Sequence, residues 1–132
     1  MNRQTVMRIA AVVYFLYGIP FFLAPNVVGA LYNAPAMNGP GIYNSSLFGA
    51  ALIAGGVATW RASTASAEAA RITIMATLLS NGLSLLVALY HQLNMPGIPA
   101  MGWMNVVILA VFTGAFFMLY RADGAGPAAQ AA

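Results

Sequence analysis

Few residues in this chain are able to do chemistry. It holds one histidine, His91, two acids, Glu68 and Asp123, and no cysteine. The imidazole of His91 and the thioethers of Met95, Met101 and Met104 are donors that suit a soft metal such as Cu(I). Their spacing matches no ligand motif, and a solvated histidine at a membrane boundary explains His91 as well, so no metal is expected. One histidine cannot supply a bis-histidine haem site. Nor can it join two distant acids in a Ser–His–Asp set, and the acids do not form a carboxylate pair. No catalysis by this chain alone is expected.

The remaining candidates are polar or aromatic and uncharged. Thr73, Thr77, Asn81, Ser84 and Ala88 recur at helical spacing. Asn81 lies ten residues from both Arg71 and His91. At about 1.5 Å per residue that is roughly 15 Å from either end of a helix, the middle of a bilayer core about 30 Å thick. An amide at that depth needs partners. One reading makes it glue between helices; the other makes it the contact for the polar end of a ligand. Tyr14, Phe15, Tyr17, Phe21 and Phe22 in one stretch, and Phe112, Phe116, Phe117 and Tyr120 in another, face lipid, a neighbouring helix or an apolar ligand. Asn81, Tyr14, Tyr17, Phe112 and Phe116 are therefore the candidate ligand contacts, for a lipid, a quinone or a carotenoid.

The elements that must hold these residues follow from composition. Only 5% of the 132 residues are charged and 61% are hydrophobic. A soluble domain carries about 25% charged residues, so this chain cannot coat a water-facing surface and belongs in a membrane. Four apolar stretches are long enough to cross: residues 6–24, 44–60, 71–91 and 102–120. The first, with Arg3 before it and Arg8 at its start, has no small-x-small cleavage site and is expected to stay as an anchor. Residues 25–43 are rich in Asn, Pro and Gly. Their apolar part, around Val27 to Tyr32, is too short to span and predicts a short interfacial helix capped by Asn26. Residues 122–132 are rich in Ala, Gly and Pro and are expected to be a disordered tail. In the second span Ser46, Ala50, Ala54 and Ala58 recur every four positions, with Ala51 and Gly55 beside them. Such a row of small side chains lets another backbone come close, and the second span is the expected packing centre.

Charge placement orients the bundle. Arg3 precedes the first span and Arg8 lies at its start, Arg61, Glu68 and Arg71 lie at the junction of the second and third, and Arg121 and Asp123 follow the fourth. The other two connections carry no formal charge. The positive-inside rule then predicts cytoplasmic charged segments and hence both termini inside. Trp60 and Tyr120 at one boundary, and Tyr32, Tyr43, Tyr90 and Trp103 at the other, fit the aromatic belts. Five arginines against two acids, a net +3, are too sparse for a nucleic-acid footprint. No Asp, Glu, Lys, Arg or His lies in the interior of a span, away from its ends, which disfavours a proton relay or ion pathway.

The fold class expected is an all-α, integral membrane four-helix bundle. Phe22-Leu23-Ala24-Pro25 closing the first span, Gly49-Ala50-Ala51-Leu52-Ile53-Ala54-Gly55-Gly56 in the second, Arg71 opening the third, Asn81 within it, Gly102-Trp103 opening the fourth and Arg121 closing it form a pattern. It resembles the small bacterial four-helix membrane proteins of the DoxX-like and related uncharacterised families. The resemblance implies a four-helix bundle in a bacterial cytoplasmic membrane, and for some members a role as accessory subunit of a membrane oxidoreductase. The Asn/Pro-rich first loop departs from that pattern and offers a docking surface. Three functional expectations result. The first is a non-catalytic accessory subunit packed on a larger respiratory or photosynthetic complex. The second is a protein that binds or transports an apolar small molecule between its spans. The third is a homo-oligomer assembled through the second span. Membrane lipids are partners in all three.

Overall fold

Helix-forming apolar runs separated by capping residues give five helices: α1 (Arg3–Leu23), α2 (Pro25–Leu31), α3 (Gly39–Ala62), α4 (Ala67–Asn94) and α5 (Gly102–Gly124). The computed structural model describes residues 2–95 and 97–124. All regular structure among them is helical, and four helices are long and apolar enough to cross a membrane: α1, α3, α4 and α5. Residues 125–132 of the expected tail lie outside the described residues, while its first three positions form the last turn of α5.

Caps mark where the helices begin. The Asn2 side chain accepts from the Gln4 amide, Asn38 from that of Gly41, and Ser66 from that of Ala69. Each satisfies one of the amides that a helix start leaves without a partner. Glu68 sits in the first turn of α4, where the helix dipole favours an anion. The cap at Asn38 and Pro40 in the first turn start α3 five residues before the apolar run at Asn44. The first connection is accordingly shorter than its composition suggests. Its short helix, α2, opens on Pro25 and is not capped by Asn26: its N-cap, Ala24, offers no side-chain acceptor. The Asn26 Oδ1 instead accepts from the Met37 amide at 2.8 Å, stapling the following loop back onto α2.

The four long helices form two antiparallel pairs, α1 with α3 and α4 with α5. The α1–α3 pair packs almost backbone on backbone. A Cβ on Gly49 would run into the Phe22 amide nitrogen and lie 2.7 Å from the Gly18 carbonyl oxygen. A Cβ on Gly56 would meet the Phe15 ring at 2.9 Å. The close row is therefore Gly49, Ile53 and Gly56, rotated from the row of small residues that the sequence suggested. Ser46, Ala50 and Gly55 are half-buried beside it, and Ala51, Ala54 and Ala58 are exposed. A Cβ on Gly55 would come no nearer than 4.0 Å to Tyr14. In a helix with so many small residues, several rows permit close approach, and the bulky residues of the partner select one.

The two pairs join through a buried cluster near one end: Met7 and Ala10 of α1, Ala62 of α3, Ala70 and Ile74 of α4, Phe116 and Leu119 of α5. The arginines gather at this same end. Arg3 donates to the Ala65 carbonyl in the α3–α4 turn at 2.8 Å. The Arg8 guanidinium lies 5.3 Å from the Trp60 ring and that of Arg71 5.3 Å from Tyr120, cation–π contacts that tie α1 to α3 and α4 to α5. Further from the arginine end, the pairs are separated by a cavity.

Candidate functional site

The α1–α3 and α4–α5 pairs each turn an uncharged polar face toward the other. Tyr14 and Tyr17 stand one turn apart on α1, Ser80, Asn81 and Ser84 on α4, and Asn105 on α5. Between them is a cavity of about 250 Å³ whose remaining wall is apolar, with Phe21, Phe48, Leu52, Ile108, Leu109 and Phe112 among its lining. No acid, base or histidine lines it. The volume is that of about eight water molecules at ~30 Å³ each, too large for a packing defect.

Phenol–amide hydrogen bonds cross the cavity. Tyr14 donates to Asn81 Oδ1 at 3.4 Å, and Tyr17 to Asn105 Oδ1 at 3.2 Å. Tyr32, the residue that ends α2, donates to the same Asn105 oxygen at 3.1 Å. All three exceed the usual O–H···O distance of about 2.7–2.8 Å. They use only the oxygen of each amide, so the N–H₂ ends remain as donors. Asn81 is 6% exposed, so its amide is almost wholly withdrawn from the surface. Its phenol partner is on α1, not on the small-residue strip of α3 against which a gluing role would have placed it.

A second cavity, about 160 Å³, lies toward the α2 end, under α2 itself. It is lined by Leu16, Tyr17, Pro20, Phe21, Val28, Leu31, Tyr32, Met101 and Met104. Tyr17 and Phe21 line both cavities, so the Tyr17–Asn105–Tyr32 bridge stands in the wall between them.

Of the ligand contacts expected from sequence, Asn81, Tyr14, Tyr17 and Phe112 all line the first cavity. Phe116 does not: it is fully buried in the cluster below and closes that end. Met101 and Met104 line the second cavity, whereas neither His91 nor Met95 belongs to that lining. His91 is exposed at the end of α4, edge-on to Tyr90 with ring centroids 5.6 Å apart. Among the described residues no three His, Cys, Asp or Glu side chains come together as a metal site.

Asn105 is the site residue that the sequence reading missed. Three residues into α5, it merges with the polar turn before it. The available signal was its register: Asn105, Ile108, Leu109 and Phe112 follow the i, i+3, i+4, i+7 spacing of one helix face, and Phe112 was already a candidate. Compared with family models, curated proteins and solved structures, the chain matches none of them.

Proposed function

We propose that this protein binds a neutral, membrane-dissolved amphiphile between its helix pairs, with the polar end of the ligand at Asn81 and Asn105. The observation that carries this reading is a cavity at mid-span depth that combines two amides and two phenols with an apolar, uncharged wall. Donors there suit a carbonyl, ester or hydroxyl oxygen, as in a lipid, a quinone or an oxygenated carotenoid. A formal charge would enter without a counter-ion, which the membrane interior penalises. The long phenol–amide bonds are the ones a ligand exchanges on entry. By the positive-inside rule the arginine end faces the cytoplasm of a bacterial cell and the α2 end faces out.

The accessory-subunit reading stands second. It rests on exposed apolar residues around the whole bundle, and lipid contact explains those equally well. One purification tests both. Protein drawn from native membranes in mild detergent is expected to carry a stoichiometric neutral amphiphile, identified by native mass spectrometry and extraction. Asn81→Leu is expected to lose it while the protein stays folded. A larger protein in fixed ratio, with no small molecule retained, would reverse the order of the two readings. Loss of stability in Asn81→Leu with ligand content unchanged would return Asn81 to a purely structural role.

A further inference from the structure

Resting on that binding reading, we infer that the ligand enters the cavity sideways from the bilayer, between α3 and α4, and keeps the outer part of its apolar chain in the lipid. Three observations lead there.

The first is size. Pockets that enclose a whole drug-sized molecule measure roughly 300–1,000 Å³, and this cavity holds about 250 Å³. It accepts the polar end of a lipid-like molecule and part of a chain, and the rest must lie outside.

The second is the wall that gives way. The helices α3 and α4 meet near their connecting turn, where Ala62, Ala70 and Ile74 share the buried cluster. Further along, Phe48 and Leu52 of α3 stand on one side of the cavity and Ser80, Ser84 and Ala88 of α4 on the other. Ser80 and Ser84 line the cavity and are nonetheless exposed, and Phe48 is 53% exposed. The cavity therefore reaches the lipid-facing surface between these two helices. Two hydroxyls at such an opening carry little penalty, because serine in a helix can bond back to its own backbone carbonyls.

The third is the wall that does not. Toward the α2 end, the Tyr17–Asn105–Tyr32 bridge ties α1, α5 and the end of α2 together between the two cavities. Phe21, edge-on to Phe48 at 5.4 Å, braces the same wall. A water-borne solute would have to break both bonds of the bridge, whereas a molecule already in the bilayer meets an open side. This assigns the ligand class: a neutral amphiphile with at least one long apolar chain, presented by the membrane rather than by the aqueous phase.

The test reconstitutes the full chain in phosphatidylcholine vesicles containing a monoacylglycerol with a diazirine at the glycerol end of its acyl chain. After irradiation, the adducts are mapped by peptide mass spectrometry. Leu109 reports the cavity, and Leu79 and Val111, exposed on the outside of α4 and α5, report simple lipid contact. Adducts are expected at all three. In Ser84→Trp, and independently in Ala88→Leu, labelling of Leu109 should fall by about tenfold, one decade of occupancy, with Leu79 and Val111 unchanged as the sign of an intact fold. If Leu109 is labelled but insensitive to both portal variants, the sideways route is overturned while binding stands. If Leu109 is unlabelled while Leu79 and Val111 are labelled, the cavity takes no chain-bearing amphiphile and the binding reading falls with it.

Discussion

Asn81 and Asn105 carry the same side chain at two depths of one cavity, and their surroundings give them different weights. Asn105 accepts two phenols, so Asn105→Leu leaves both hydroxyls without their acceptor. Hydrogen bonds between membrane helices are worth roughly 0.6–2 kcal/mol each. The variant should lose about 1–3 kcal/mol of stability in a denaturation series, and Tyr32→Phe about half of that. Thr113 should behave in the opposite way. Its Oγ1 is the only buried side-chain polar atom without a partner among the described residues. Thr113→Val keeps the shape and removes the unsatisfied hydroxyl, so stability should hold or rise by up to ~1 kcal/mol in the same assay. Sequence spacing exposed Asn81 because an amide in the middle of an apolar run stands out. It hid Asn105, which lies close to a run of Pro and Gly, and it could not show that a residue of the first connection, Tyr32, reaches across to meet it.

At the scale of helices, the α1–α3 contact depends on which glycine lacks room. Gly49 has backbone against it, and Gly55 has almost nothing. Gly49→Leu should therefore separate the pair and reduce the folded yield, with a penalty of at least the ~1–3 kcal/mol typical of overpacking. Ala54→Leu, on the exposed side of α3, should leave folding within about 0.5 kcal/mol of the parent. A fluorescence or thermal unfolding comparison of the two variants in detergent checks both. Four long apolar helices and their order were legible because apolar length and the polar, Pro- and Gly-rich breaks between runs are local properties, whereas the cap expected at Asn26 was not formed. The contact row was not. Ser46, Ala50, Ala54 and Ala58 are as small as the residues used, and the choice among rows was made by Phe15, Gly18 and Phe22 on another helix.

For the whole molecule, the charged end and the α2 end are the two faces that a membrane would separate. The natural absence of cysteine allows each to be marked by a single thiol. Ala36→Cys, exposed in the loop after α2, should react with a membrane-impermeant maleimide on intact cells. Thr64→Cys, exposed in the α3–α4 turn, should react only after the membrane is opened. The reverse pattern would invert the bundle and place the cavity nearer the cytoplasmic leaflet.

The buried cluster that unites all four spanning helices is confined to the arginine end, while in the other half the pairs meet across a cavity and a few long hydrogen bonds. Such a body is built like a clothes-peg, closed by packing at one end and by a few hydrogen bonds at the other. On the binding reading proposed above, lateral pressure in the leaflet around the looser end should then bear on the width of the opening, and occupancy of the cavity should vary with lipid packing as well as with ligand concentration.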